Sequence, residues 1–197
     1  LVAVREPDMH EPSGDLRRLI EAVETQWPER VTGPIQCDLH VIQTLQPILR
    51  AGKWRVTVAL RNGTDIIAVW PGLKEQVVGV AIDVGSTTMS AHLCDMVTGD
   101  VLASTGAMNP QIRFGEDLMS RVSYGIMNPG GAGEMTTAVI GGLQNLIDGA
   151  AEQAGLQRED VVEIVLAGKP VMHHLLLGID PIELGGAPFA LAVDSAV

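Results

Sequence analysis

Two segments near the start of the chain, residues 13–27 and 38–49, repeat apolar side chains at helical spacing. Polar and charged side chains fill the positions between them, so each segment predicts an amphipathic helix with one buried face. Ser13 is a residue type that caps helices, and we expect it to cap the first helix. We expect Arg18, within that helix, to face water.

The pattern changes period in the next part of the chain. Apolar and polar side chains alternate along residues 54–60 and return along residues 65–70, as in half-buried strands. Asn62-Gly63, which joins the two segments, is a favoured two-residue hairpin turn. Pro71-Gly72 then interrupts the pattern. The sequence therefore predicts a small α/β domain over residues 1–76.

Residues 77–95 contain the pattern with the most chemical content. An apolar run ends on Asp83, a small hydroxyl-rich turn follows, and an alternating segment returns, which predicts strand, tight loop and strand. Backbone N–H groups in such a loop can converge on phosphate oxygens, and a carboxylate at the strand end can hold a hydrated Mg²⁺. The alternative is an ordinary hairpin whose turn is rich in small residues. The candidate phosphate-binding residues are Gly85, Ser86, Thr87 and Thr88.

The remaining pattern extends this hairpin into a larger sheet. Residues 101–107 predict a third strand, antiparallel to the second, and residues 134–154 predict a long helix. Gly141-Gly142 lowers helix propensity, so we expect close packing there. Residues 161–167 are almost wholly apolar and predict a central, parallel strand. The resulting β-β-β-α-β order is that of an RNase H-like lobe with a mixed sheet.

A shorter helix is predicted after Gly115, and its expected buried face consists of Leu118, Met119, Val122 and Ile126. Asp117 and Arg121 are four residues apart and share one side of it. Two interpretations stay open: a surface ion pair, or a pair that points into a nucleotide cleft.

Composition narrows the function classes. The chain has 197 residues, 46% of them apolar, and a formal net charge of −11. Nucleic acids and anionic membrane surfaces require a basic footprint, so neither is an expected partner. No apolar run reaches the roughly 18 residues of a membrane span, and no secretory signal is visible.

Cysteine and histidine residues offer little metal chemistry. Cys37 and Cys94 are far apart in sequence and too few to hold an iron–sulfur cluster. We interpret them as reduced, buried thiols of a cytoplasmic protein. The neighbours His173 and His174 would point about 100° apart on a helix, which disfavours a shared metal.

The segment IDVGSTT resembles the first phosphate motif of the acetate kinase, sugar kinase, Hsp70 and actin superfamily, with Asp83, Gly85 and Thr87 on the motif positions. Three further segments, NPQIRFGEDLMSR, VMHHLLLGIDP and LGGAPF, follow in order. Together they are similar to the ASKHA-domain ferredoxins, the reductive activators of corrinoid-dependent proteins. Where that family suggests Gly-Asn before Pro-Val-Met, this chain has Gly168-Lys169, and the Lys169 charge could pair with phosphate.

The resemblance implies that residues 1–76 are a middle domain and residues 77–197 the first lobe of a truncated ASKHA ATP-binding domain. It implies ATP and Mg²⁺ as cofactors, with a [2Fe–2S] cluster on four cysteines outside this chain. The longer protein would reduce Co(II) to Co(I) in a corrinoid protein or related metalloprotein, and the chain alone, with half a nucleotide site, is expected to be inactive. A homodimer is left open. The implied site residues are Asp83, Gly85, Ser86, Thr87, Thr88 and Asp117, with Asp83 holding Mg²⁺ through water.

Two other function classes stay open. The chain could belong to a small-molecule kinase of the same superfamily, or it could be a docking module for a metalloprotein that no longer binds nucleotide.

Overall fold

The computed structural model describes residues 1–10, 12–193 and 195. It divides into two compact units, Leu1–Glu75 and Gln76–Val197, and each unit has its own sheet and core. Both units combine helices with mixed sheets, which confirms the predicted α/β class.

The first unit packs two helices against a four-stranded sheet with strand order β1-β3-β4-β2. β3 and β4 are antiparallel, and β2 runs parallel to β4. Asn62 and Gly63 have φ of 53° and 77°, which confirms a turn at this dipeptide, but the paired residues that flank it are Arg61 and Asp65, so the loop has three residues instead of the predicted two. The elements are β1 (Val2–Ala3), α1 (Asp15–Gln26), β2 (Gln36–Cys37), α2 (Leu39–Ala51), β3 (Arg55–Arg61) and β4 (Asp65–Pro71).

The N-terminus of α1 corrects two expectations. Gly14 occupies the cap position and the Ser13 side chain makes no cap hydrogen bond, so the predicted cap is wrong. Arg18 is buried instead of facing water, because its guanidinium pairs with Asp15 and donates to the Ser13 carbonyl. It also lies 5.8 Å from the centroid of the Trp54 ring. These polar contacts therefore bury the Arg18 side chain at the N-terminal end of α1.

The second unit contains the sheet β7-β6-β5-β8, in which β5, β6 and β7 are antiparallel and β8 is parallel to β5. This is the predicted β-β-β-α-β order. The elements are β5 (Val78–Val84), β6 (Thr88–Asp95), β7 (Val101–Met108), α3 (Leu118–Met127), α4 (Gly131–Gln153), β8 (Val161–Gly168) and α5 (Pro170–Leu177).

The core of this unit lies between the sheet and α4. β5 alternates, so that Val78, Val80, Ile82 and Val84 are buried, and α4 covers them with a row of aliphatic side chains. A Cβ on Gly142 would lie 2.8 Å from the Met89 Cε, which confirms close packing at that glycine, whereas a Cβ on Gly141 would meet no atom within 4 Å, so the expectation is wrong there. One face of both strands of the β5–β6 hairpin is buried, and this packing fixes the position of the loop that joins them.

Several expectations for this unit are wrong. β8 is parallel to β5 but not central, because within the described residues it pairs with β5 alone, and Ile164, Val165 and Leu166 are exposed. On α3, Met119 and Ile126 are exposed, and Arg121 is buried beside Val122.

Cys37 and Cys94 are free thiols and half-buried, whereas full burial was expected. Burial raises the pKa of the Cys37 thiol, and the Asp38 charge adds to that effect. Among the helices that the structure describes, none has the length and apolar character needed to cross a bilayer.

Candidate functional site

A cavity of about 480 Å³ opens at the carboxyl ends of β5 and β8. Val84 and Gly168 are register partners at the ends of these two parallel strands, so the loops that follow them lie side by side. Ligands of open α/β sheets bind at such strand ends. The lining residues are Asp83, Val84, Gly85, Ser86, Thr87, Thr88, Gly168 and Lys169.

The β5–β6 turn is tight enough to require glycine at one position. A Cβ on Gly85 would lie 2.3 Å from the Thr88 carbonyl oxygen, well inside contact distance. Gly85 therefore brings the two strand ends together and leaves the backbone of the loop open to the cavity.

Three consecutive carbonyl groups of this loop accept hydrogen bonds from the interior. The Asn109 side-chain amide donates to the Gly85 oxygen at 2.8 Å, and the Asn109 backbone N–H donates to the Thr87 oxygen at 2.8 Å. The Arg121 Nη2 donates to the Ser86 oxygen, which lies between these two acceptors. Residues from a distant segment thus fix every carbonyl from Gly85 to Thr87.

Fixed carbonyls fix the neighbouring amides, because the C=O and N–H of one trans peptide unit point in opposite directions. The N–H groups of Ser86, Thr87 and Thr88 therefore point away from Asn109 and Arg121. Among the described residues, no protein atom accepts a hydrogen bond from the Ser86 or Thr87 amide. Successive unpaired N–H groups that line a concavity are a typical anion-binding arrangement.

Arg121 is the largest fully buried side chain of the described chain, with 0% exposure. Its Nε donates to the Gly115 oxygen at 3.0 Å, and its Nη1 lies 3.4 Å from the Met172 Sδ. Burial lowers the pKa of the guanidinium, and the Asp117 charge opposes this in part. The surface ion-pair interpretation of Asp117 and Arg121 is therefore wrong.

Asp117 has a different environment from Arg121. It is exposed, forms the N-cap of α3 and accepts a hydrogen bond from the Ser120 amide at 2.7 Å. This bond is the main cause that lowers the pKa of the carboxyl. Asp117 does not line the cavity, and its contribution to nucleotide binding stays a prediction.

The donor set fits Mg²⁺ better than a transition metal. Within the described residues, no group of three or more His, Cys, Asp or Glu side chains could hold a metal ion. Asp83 is exposed and is the carboxylate that lines the cavity. One carboxylate suits Mg²⁺, which usually keeps several waters and takes further oxygens from phosphate. An iron–sulfur cluster does not fit, because this sequence has two cysteines and such clusters require four ligands.

Sequence reasoning missed Asn109 as a site residue. It is 1% exposed, and its Oδ1 also accepts from the Gln111 amide at 2.9 Å. Asn109 begins the segment NPQIRFGEDLMSR, which was used only for the family resemblance, and the dipeptide Asn109-Pro110 is typical of any turn. Lys169 was noted for its charge, and it lines the same cavity as the loop that contains Ser86.

Comparison with known proteins is consistent across the chain. Residues 78–197 match the family model of the RACo middle region, and residues 1–76 match that of the RACo linker region. The chain is 31% identical over 130 residues to the corrinoid activation enzyme RamQ of Eubacterium limosum, a match that covers 65% of this chain and 22% of RamQ.

Among solved structures, the chain is similar to a reductive activator for corrinoid, iron-sulfur protein. The TM-score is 0.79 at 32% identity, and the match covers 97% of this chain and 30% of that one. The chain therefore spans less than a third of the length of these relatives.

Proposed function

Because the chain belongs to the RACo family, we propose that it is the linker and first nucleotide-binding lobe of a protein that reductively activates a corrinoid protein. The names of the similar proteins, an activation enzyme and a reductive activator, support this assignment. Residues 77–197 would form the first lobe of the ASKHA ATP-binding domain, and residues 1–76 the domain before it.

The observation that carries the nucleotide assignment is the loop of residues 85–88. We infer that its Ser86 and Thr87 amides face the cavity that the loop lines, where Asp83 and Lys169 supply a carboxylate and an ammonium. The amides would bind phosphate oxygens, and Lys169 would add a positive charge. Asp83 would orient a hydrated Mg²⁺ beside the phosphate. The hydroxyl groups of Ser86, Thr87 and Thr88 would complete the phosphate contacts.

Binding and hydrolysis of Mg·ATP would supply the free energy for an uphill electron transfer from the [2Fe–2S] cluster of the longer protein to cobalt. This chain would contribute one wall of the nucleotide cleft. The second lobe would close on the same nucleotide, so that ATP favours one arrangement of the two lobes. The size of the effect is limited by the difference in ATP affinity between the open and closed arrangements. The corrinoid protein is the proposed partner, and a homodimer and a cytoplasmic location stay predictions.

The direct test uses the full-length protein, a reductant and the Co(II) form of its corrinoid protein. We expect Co(I), followed by its absorbance, to accumulate with Mg·ATP and not without it. In the Asp83→Ala variant, Mg·ATP should no longer cause Co(I) to accumulate, although the variant keeps the absorbance spectrum of its cluster. Equal rates of Co(I) formation with and without ATP would overturn the proposal.

A further inference from the structure

We propose that Asn109 and Arg121 are positioning residues that hold the loop of residues 85–88 in its anion-binding conformation before a ligand arrives. The inference rests on the proposed nucleotide site and adds to it two residues that do not contact the ligand. Both side chains donate to carbonyl groups of the loop, and neither is among the residues that line the cavity.

The Arg121 guanidinium is fully buried. A guanidinium taken out of water loses its hydration, and burial without a carboxylate is expensive unless other acceptors replace the water. Among the described residues, no carboxylate forms an ion pair with Arg121. Its acceptors are the Ser86 and Gly115 carbonyls and the Met172 sulfur. The buried charge therefore lies directly behind the Ser86–Thr87 peptide.

This position has an electrostatic consequence. The guanidinium polarises the Ser86 carbonyl and, through the same peptide unit, makes the Thr87 N–H a better donor to an anion. An anion in the cavity would in turn partly compensate the buried positive charge across that peptide. Arg121 thus favours an anion without contacting it.

Asn109 fixes the two peptides on either side. Its side-chain amide donates to the Gly85 carbonyl and its backbone N–H donates to the Thr87 carbonyl. Its Oδ1 accepts a hydrogen bond from the backbone N–H of Gln111. Gln111 is fully buried, and its side-chain Nε2 donates to the Met135 carbonyl of α4 at 2.9 Å. The loop is therefore anchored through Asn109 to the long helix, and through Arg121 to the segment before α3 and to α5.

The test compares folded variants of the 197-residue chain and of the full-length protein. Arg121→Gln removes the charge, Arg121→Lys keeps the charge without the planar guanidinium, and Asn109→Ala removes one side-chain donor. Arg113→Gln is the matched control, because Arg113 lies in the same segment, is exposed and stacks on Phe114.

The first measurement is the amide NMR spectrum without ligand. We expect the Ser86 and Thr87 signals to shift or broaden in Arg121→Gln and Asn109→Ala and to be unchanged in Arg113→Gln. If Arg121→Gln does not fold, Asn109→Ala and Arg121→Ala with added guanidinium serve instead, and guanidinium should restore the wild-type signals. Unchanged Ser86 and Thr87 signals in folded variants would overturn the inference.

The second measurement is Mg·ATP affinity of the full-length protein. We expect Arg121→Gln and Asn109→Ala to raise the Kd at least about tenfold, because a poorly oriented donor loses its hydrogen bond to phosphate. Wild-type affinity in both variants would also overturn the inference. If the wild type itself fails to bind Mg·ATP while the amide signals respond as expected, the nucleotide proposal fails and the positioning role stands.

Discussion

Lys169 combines two properties at one residue, because it lines the cavity and is also the N-cap of α5. Its side chain makes no cap hydrogen bond, and a cation is unfavourable at a helix N-terminus. Lys169 therefore destabilises the start of α5 but is well placed to bind an anion. A substitution at this position should change anion affinity and protein stability in opposite directions.

We predict that Lys169→Asn weakens Mg·ATP binding by the full-length protein about fivefold, since an exposed charge pair contributes modestly. The same substitution should raise the Tm, because Asn is a favoured cap. Calorimetry and thermal unfolding measure the two effects, and Lys169→Arg, which keeps the charge, is the control. Unchanged affinity in Lys169→Asn would show that the charge does not contact the nucleotide.

Asp117 supports a prediction about pH. Its carboxyl has a lowered pKa in the folded state, so the cap it makes stabilises the protein fully above the ordinary Asp pKa of about 3.9. This stabilisation is lost as the pH falls through the lower folded value. The Tm difference between wild type and Asp117→Ala should therefore be present at pH 7 and shrink below about pH 4. A difference that stays constant from pH 6 to pH 3 would contradict the assigned cap.

The candidate site depends on the tight turn of the β5–β6 hairpin, and a substitution at Gly85 tests this dependence. A Cβ there would overlap the Thr88 carbonyl, so Gly85→Ala must open the turn. We predict a loss of about 1–3 kcal/mol in the free energy of unfolding, together with loss of Mg·ATP binding. In Gly106→Ala, the matched substitution in β7, the nearest atom to the new Cβ is the Met89 oxygen at 3.7 Å, an ordinary contact. If the two substitutions had equal effects in denaturant titrations, the packing argument would be wrong.

Elements with a clear period were predictable from the sequence. The β5–β6 hairpin and α4 have strong local patterns, and the structure confirms both elements. Arg121 was not predictable as a buried residue, because period rules place a charged residue on the exposed face of α3. Its burial depends on carbonyl acceptors at Gly115 and Ser86, and Ser86 is 35 residues away in the chain. Long-range polar contacts of this kind leave no trace in a local pattern.

The edge position of β8 has a similar explanation. The apolar residues of β8 predict that this strand is buried, but they do not specify which strands or helices pack against it. Within the described residues, β8 has one neighbouring strand and exposes Ile164, Val165 and Leu166. Position in the sheet depends on pairing partners, which local sequence does not specify.

The chain corresponds to only part of the length of its relatives, and this limits the function that we propose for the chain alone. It covers 22% of RamQ and 30% of the similar solved activator. One wall of a nucleotide cleft supplies only part of the contacts that phosphate and adenosine require. The proposal therefore assigns high affinity to the longer protein and little to the chain alone.

Calorimetric titration of Mg·ATP into this chain and into the full-length protein, each with Asp83→Ala, tests the central claim most directly. The account predicts binding by the full-length protein, loss of that binding in Asp83→Ala, and little or no heat with the chain alone. Full-length protein that binds Mg·ATP equally well with and without the Asp83 carboxylate, or that does not bind it at all, would contradict the nucleotide site described here.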